Sequence, residues 1–330
     1  PFPLYRLFFC PANRVWGHFL RLRAADLLSS RQVEVKLLYS PVNSANAERY
    51  AEIFGAKAAD SPEAIINDPE IDVVCVFVPP FVRKEYVLAA KAGKQIVATK
   101  PLAADLSDAR EMTEAVEQAG VRCGVIYRRT NNPVIEAYKE IFSGGEFGKL
   151  ALYKQDWLHH YPTWNRWATD PKKNGGPFMD AILHNLNAAR YLMGRRVVGR
   201  AFFSDDHTHS LACDDTQFLK VDFEQGASAH LFITWAAELA VYDSAKNDRE
   251  HIDQCFMVTD QGWLFRNEIR EGKAVITATR NGLEKDFPVI PFEETFFDRY
   301  AKEIKNRDML PADLPDIREA YEDLRILLEN

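Results

Sequence analysis

The sequence predicts an α/β fold in two domains, a doubly wound parallel sheet followed by an α+β domain whose open sheet is mainly antiparallel. Through residues 1–127, short apolar runs alternate with amphipathic helical stretches, which is typical of a parallel sheet covered by helices. After Asn132-Pro133, strand-like runs follow one another through short turns such as Glu224-Gln225-Gly226, which is typical of an antiparallel sheet. We therefore expect a first domain at 1–127 and a second at 128–330, with the C-terminal helix able to pack back on the first.

Each strand is predicted from a short apolar run, and each helix from apolar residues spaced three and four apart. Gly55 and Gly93 end two of the helices in the first domain. There the strands are 5–9, 33–39, 71–78, 95–98 and 122–127, and the helices are 19–29, 45–54, 62–67, 82–92 and 106–119. In the second domain the helices are 134–143, 176–193, 296–305 and 315–329, and the strands are 148–158, 201–205, 217–223, 227–235, 254–259, 262–266 and 274–279.

The composition is that of an ordinary globular protein, with 47% hydrophobic and 27% charged residues. The net charge is -7 and no long run of Lys or Arg offers a basic surface, so we expect no nucleic-acid partner. No apolar run reaches the roughly 20 residues that span a bilayer, so we expect no membrane partner either. The five cysteines are far apart and mostly lie in apolar runs, which indicates reduced thiols and a cytoplasmic location.

Lys100 stands at the end of the apolar run 95–98 and is followed by Pro101. The proline stops the strand and restricts the backbone of the lysine before it. A lysine at the carboxyl end of a parallel strand faces the crevice in which open α/β sheets bind ligands, where its ammonium can meet a substrate hydroxyl. The alternative is a solvated surface charge, which is the common state of lysines at strand ends.

Asp180 and His184 are four residues apart in a predicted helix, so they lie on one face of it. The carboxylate can then orient the imidazole and fix its tautomer, and such a pair moves protons near neutral pH. The alternative is a surface or helix-capping Asp beside a histidine that has an ordinary structural partner. The pairs His159-His160 and His207-Thr208-His209 have no cysteine or acid at a ligand spacing, so we predict no metal site.

Two tryptophans, Trp164 and Trp167, lie in the loop before the Asp180 helix. Aromatic side chains near a polar crevice can stack on sugar rings. They are equally suited to burial in an interface between domains, so both roles stay open.

The first turn, residues 10–15, lies where a dinucleotide pyrophosphate would bind. Its glycine positions hold Cys10, Ala12 and Val15, so on its own the turn is better interpreted as an ordinary strand-to-helix connection. The second predicted strand leads to Ser40 and has no acid at its end to hold an adenosine ribose. Ser40, Asn43 and Ser44 can instead face a 2′-phosphate, but no arginine follows to pair with it, so the choice between NAD and NADP stays open with a slight lean to NADP.

Together these stretches resemble the Gfo/Idh/MocA family of NAD(P)-dependent oxidoreductases, in order and spacing across nearly the whole chain. The family's Gly-x-Gly-x-x-Gly-x-x-His turn is matched only at His18. Its Glu-Lys-Pro motif corresponds to Thr99-Lys100-Pro101, and Arg83 stands where a histidine is common. Its Gly-Gly-x-x-x-Asp-x-x-x-His motif is matched by Gly175, Gly176, Asp180 and His184.

The resemblance implies a Rossmann-type first domain, a second domain that builds homodimers or homotetramers, and hydride transfer between nicotinamide and a secondary alcohol or ketone of a sugar, sugar derivative or cyclitol. It implies that His184, oriented by Asp180, exchanges the hydroxyl proton while Lys100 binds that oxygen, although these two roles can be exchanged. The implied cofactor-binding residues are Cys10, Ala12, Asn13, Arg14, Val15, Ser40, Pro79, Thr99 and Lys100. The implied substrate-binding residues are Lys100, Arg129, Trp164, Trp167, Asp180 and His184.

The departures from the family pattern support an alternative from another class, a dinucleotide-binding regulator or scaffold of the same fold without turnover. The lost glycines remove close backbone approach to a pyrophosphate, and Thr99 replaces a cofactor-side glutamate. Against this alternative, Lys100, Asp180 and His184 are all present.

Overall fold

The computed structural model describes residues 5–9, 27–40, 44–90, 93–163, 167–239, 251–307 and 309–329, which form two compact units. The first unit runs to Asn131 and takes up the chain again from Phe292, and the second is Asn132–Pro291. The predicted second domain, 128–330, thus extends beyond the second unit. The reason is that the chain from Phe292 onward, which we call the closing segment, packs with the first unit. Within the described ranges, every helix is too short or too polar to span a lipid bilayer.

The elements follow one another largely as predicted, but two outer strands, the two-residue β3 and the six-residue β14, have no counterpart in the prediction. The strands are β1 Tyr5–Phe9, β2 Val33–Leu38, β3 Lys57–Ala58, β4 Val73–Val76, β5 Gln95–Thr99, β6 Cys123–Ile126, β7 Leu150–Leu158, β8 Val197–Asp205, β9 Thr216–Phe223, β10 Ser228–Thr234, β11 Ile252–Thr259, β12 Leu264–Arg270, β13 Lys273–Arg280 and β14 Leu283–Pro288. The helices are α1 Ser44–Phe54, α2 Pro62–Ile66, α3 Pro80–Ala90, α4 Leu106–Ala119, α5 Pro133–Ser143, α6 Leu183–Met193, α7 Phe296–Arg307 and α8 Ile317–Leu328.

The sheet of the first unit is parallel throughout, with strand order β3-β2-β1-β4-β5-β6. This is the doubly wound order, in which the chain reverses its direction of progress between β1 and β4. Strands β4 and β6 are buried along their whole length, as continuous apolar runs are in a parallel sheet with both faces covered. The predicted doubly wound parallel sheet is confirmed.

Local signals in the sequence account for the bounds of α4, which agree with the predicted helix at 106–119. The Asp105 side chain accepts a hydrogen bond from the amide of Asp108 at 2.9 Å and so caps the first turn of the helix. Gly120 ends the helix in the left-handed conformation, with φ of 66°, which glycine adopts without a steric penalty.

The closing segment is built into the first unit by backbone contacts beside β6. The Val125 amide donates to the Pro315 carbonyl at 2.7 Å, and Gly124 pairs with Asp316. Gly124 has to lack a side chain, because a Cβ there would lie 2.4 Å from a methyl carbon of Leu314. Helix α8 then packs on α4 and β6.

The second unit is an eight-stranded sheet with order β14-β13-β12-β11-β7-β10-β9-β8. Its neighbouring strands are antiparallel except for the β7–β10 pair, which is parallel. Burial alternates along β9 and β10, so one face of each strand lies in the core and the other is more open. The predicted open, mainly antiparallel sheet is confirmed.

Candidate active site

Lys100 lies directly after β5, at the carboxyl end of the parallel sheet and partly buried. Its amide donates to the Ile126 carbonyl at the end of β6, at 3.2 Å, so its backbone is tied to the neighbouring strand. The peptide bond from Lys100 to Pro101 is cis. We define residues 99–102 as the lysine corner.

Sequence reasoning missed the side chain that holds this corner. Arg83, on α3, is fully buried, whereas a charged residue on an amphipathic helix is normally taken for a solvent-facing one. Its guanidinium donates to the Val78 carbonyl at 2.5 Å and to the Thr99 hydroxyl at 2.9 Å. It also donates to the carbonyl of Pro101 and, at 3.3 Å, to that of Leu102. Burial lowers the pKa of Arg83 to about 9, so the group stays charged at neutral pH.

Ser40 and Pro79 lie just beyond the carboxyl ends of β2 and β4, and both are buried. The carboxyl ends of the strands beside the β1–β4 reversal form the crevice in which doubly wound sheets bind dinucleotides. The strand order of this unit therefore fits a nicotinamide dinucleotide. Cys10, Ala12, Asn13, Arg14 and Val15, which sequence analysis assigns to the pyrophosphate turn, lie outside the described residues.

Asp180 and His184 are both partly buried, but they do not lie on one continuous α-helix as predicted. Phe178–Ile182, which contains Asp180, is π-helical, and His184 lies in the first turn of α6. Such π-helical segments are rare and are frequent at functional sites. The Phe178 amide at its start donates to the side chain of Gln217 at 2.7 Å.

Asn174 is a second contributor that sequence reasoning missed. It is fully buried, and its side-chain amide donates to a carboxylate oxygen of Asp180 at 3.3 Å. Gly176 has φ of 95°, and a Cβ on it would lie 3.3 Å from the Cβ and Sγ of Cys213. Glycine at position 176 thus accommodates both the left-handed backbone and the close approach of Cys213.

Arg129 has contacts that differ from the predicted role in substrate binding. Its side chain is fully buried in the first unit, where it donates to the Ala312 carbonyl and to the Glu319 carboxylate, both at 2.9 Å. Arg129 therefore holds the closing segment against the first unit, and these contacts do not support its predicted role in substrate binding. Trp167 is partly buried, and Trp164 lies outside the described residues.

The strand order of the second unit brings together His160, His209 and Glu238, whose nitrogen and oxygen atoms lie within 4.8 Å of one another. Nε2 of His160 is 3.5 Å from the carboxylate, and Nε2 of His209 is 4.0 Å from it. That nitrogen of His209 also donates to the Trp235 carbonyl at 3.0 Å. Because a ring nitrogen has one in-plane bonding direction, His209 would have to turn before this nitrogen could bind a metal ion. We assign no ion to this cluster.

Comparison with known proteins gives two family matches. Residues 16–127 match the model of an oxidoreductase family with an NAD-binding Rossmann fold, and residues 135–248 match the model of the GFO/IDH/MocA C-terminal domain.

Two curated relatives share about a quarter of their aligned residues with this chain. The chain is 26% identical to scyllo-inositol 2-dehydrogenase (NAD(+)) of Bacillus subtilis over 271 residues, 79% of this chain and 73% of that protein. It is 26% identical to myo-inositol 2-dehydrogenase of Thermotoga maritima over 255 residues, 76% of this chain and 72% of that protein. Among solved structures, aldose-aldose oxidoreductase from Caulobacter crescentus, in complex with glycerol, matches with a TM-score of 0.81 and 17% identity over 98% of this chain and 96% of that one. That structural match supports the fold.

Proposed function

This chain belongs to the Gfo/Idh/MocA family of oxidoreductases, and we propose that it transfers a hydride between a nicotinamide dinucleotide and a secondary alcohol or ketone of a sugar, sugar derivative or cyclitol. The substrate class is supported by relatives that are named inositol dehydrogenases. The observation that carries the proposal is that Lys100, Asp180 and His184 are each partly buried, Lys100 directly after β5, Asp180 within the π-helical segment and His184 in the first turn of α6. Partly buried polar groups of this kind are suited to ordered contacts with a ligand.

The residues proposed to hold the cofactor are Ser40, Pro79, Thr99 and Lys100 at the strand ends, with the turn 10–15. When bound, nicotinamide accepts or gives up the hydride. Ser40 stands where an acid would hold an unphosphorylated ribose, so we propose NADP as the preferred cofactor.

In the oxidation direction, the neutral imidazole of His184 accepts the proton of the reacting hydroxyl. Asp180 holds the ring in one orientation and stabilises the imidazolium that forms. The Lys100 ammonium donates a hydrogen bond to the same oxygen, and its charge favours the alkoxide character that develops as the proton leaves. The proton thus ends on His184, and the carbon is left as a carbonyl. In reduction the same groups act in reverse, with His184 donating the proton.

One alternative is a dinucleotide-binding regulator or scaffold without turnover. The observation that favours it is at Thr99, where the family motif has a glutamate and this chain has a hydroxyl that accepts from Arg83. Against this alternative, the three candidate catalytic residues are all present.

The test is a turnover assay with NAD(+) and NADP(+) against a panel of inositols, aldoses and anhydrosugars, following reduced nicotinamide by fluorescence. We expect turnover by the wild-type protein and a loss on the order of 10³-fold in kcat for His184→Asn, within the range for removal of a general base. The matched control is His207→Asn, an exposed histidine of the same unit, which should keep full activity. Binding of reduced nucleotide with no turnover on any substrate would favour the regulator, and binding of neither nucleotide would contradict both functions.

A further inference from the structure

The guanidinium of Arg83 connects two chain segments that meet at the carboxyl edge of the sheet. One of its terminal nitrogens donates to Val78, beyond β4, and to Thr99, at the end of β5. The other donates to the carbonyls of Pro101 and Leu102. Acceptors therefore lie on both sides of Lys100 in the sequence, and one rigid side chain binds all of them.

All of these acceptors are carbonyl or hydroxyl oxygens, and in the described part of the chain no carboxylate contacts Arg83. A buried ion normally has a counter-ion, because removing its charge from water is costly. Here the dipoles of three carbonyls and one hydroxyl stabilise the charge instead. Since these carbonyls would otherwise be buried without donors, the cation and the bent backbone of the corner depend on each other.

An arginine is required here on geometric grounds. Its planar guanidinium presents donors in fixed directions, whereas the ammonium of a lysine is a single point that cannot reach acceptors on two sides at once. The backbone of Lys100 has a second attachment, from its amide to Ile126, so the corner is held from the α3 side and from the β6 side.

We propose that Arg83 is a positioning residue for the reaction, which fixes the lysine corner and thereby the ammonium of Lys100. The effect of Arg83 on catalysis rests on the proposed function. The structural part of the proposal, the fixing of the corner, stands on the contacts of Arg83 alone. Arg83 itself does not touch the substrate, since its side chain is fully buried among backbone oxygens.

The first measurement needs no substrate. Hydrogen exchange followed by mass spectrometry, on peptides that contain the Lys100 amide, is compared between the wild type and Arg83→Lys. Exchange of this amide should accelerate roughly tenfold, as expected when a hydrogen-bonded anchor is lost. The matched control is Arg299→Lys, an arginine of the same unit that binds Asn131 and Asp313 and should leave exchange at the corner unchanged. Thr99→Val, which removes one acceptor only, is the milder variant if Arg83→Lys does not fold, and it should accelerate the same amide.

The second measurement separates positioning from stability. Arg83→Lys should lower kcat on the order of 10²-fold with little change in KM, because misplacement of a catalytic group by about an ångström has that effect. In a Lys100→Met background the same substitution should lower kcat less than about threefold, because residues that act through one another are not additive. If Arg83→Lys does not fold, the exchange measurement on Thr99→Val decides, because Thr99 is also proposed to hold the cofactor and its kcat would combine both effects.

Unchanged exchange at Lys100, or an equal loss of kcat in both backgrounds, would overturn the proposal. A wild-type protein that turns over none of the sugars or cyclitols would refute the proposed function, and the exchange result alone would then decide whether Arg83 holds the corner.

Discussion

Each unit buries a basic side chain, Arg83 in the first and His159 in the second, and at neutral pH only the arginine is charged. In the first unit, Arg83 donates to four oxygen acceptors, and its pKa, although lowered to about 9 by burial, leaves it charged. In the second unit, His159 donates from Nδ1 to the His160 carbonyl at 2.7 Å, and no described residue bonds to its Nε2. Burial lowers the pKa of His159 to about 4, so this ring is neutral.

The difference shows what keeps a buried group charged. Burial lowers the pKa of both groups, but the pKa of Arg83 starts at 12.5 and stays above neutral pH, whereas that of His159 starts at 6.5 and falls below it. In the first unit the Arg83 cation holds the lysine corner, and in the second unit the neutral amide of Asn174 donates to Asp180. A fall in pH from neutral should therefore change the charge of His159 and leave that of Arg83 unchanged.

The largest expected effect concerns acid stability and His159. Its pKa in the folded protein, about 4, lies below the ordinary value of 6.5, so the unfolded chain binds the proton more readily. The contribution of His159 is complete above pH 6.5 and is lost as the pH falls toward 4, by up to about 3 kcal/mol in the free energy of unfolding. Urea unfolding at a series of pH values should show a weaker pH dependence for His159→Asn, which keeps a donor for the His160 carbonyl. A pH dependence equal to that of wild type would contradict the assignment, and His207→Asn is the control.

Thr99→Val should lower the free energy of unfolding by about 1–3 kcal/mol, because it leaves a buried cationic donor without one acceptor. The matched control is Thr113→Val in α4, whose hydroxyl donates to the Ala109 carbonyl at 2.8 Å in an uncharged contact. Chemical denaturation of both variants compares them directly. Equal losses would show that the charge of Arg83 adds nothing to this contact.

Asn174→Ala should have the smallest effect, a fall in kcat of up to about tenfold, since it removes one hydrogen bond to Asp180. Asn132→Ala, which removes the N-cap of α5, is the control and should cost about 1 kcal/mol of stability with no change in kcat. A fall in kcat of the same size in both variants would assign Asn174 a role in stability only.

The sequence was sufficient to predict those parts that depend on local pattern. The buried runs of β4 and β5 and the proline after Lys100 predict a parallel sheet with a lysine at its carboxyl edge, and Asp105 and Gly120 mark the ends of α4. The contributions of Arg83 and Asn174 could not be predicted, because both depend on backbone from other segments that surrounds a polar side chain.

Two further features depend on tertiary approach. The π-helical segment begins at Phe178, whose amide donates to Gln217, a β9 residue that is distant in the sequence. His160, just after β7, and His209, in the connection that leads into β9, are far apart in the sequence and meet because β7 and β9 both pair with β10 in the sheet. Their spacing along the chain therefore carries no signal for the cluster they form with Glu238.

The most direct test of the account is a double-mutant cycle between Lys100→Met and His184→Asn, with kcat measured on the best substrate of the panel. If Lys100 and His184 act on one reacting oxygen, as proposed, the double variant should be no more than about threefold slower than the slower single variant. Losses that multiply would show that the two groups act independently, and the proposed division of work between Lys100 and His184 would be wrong.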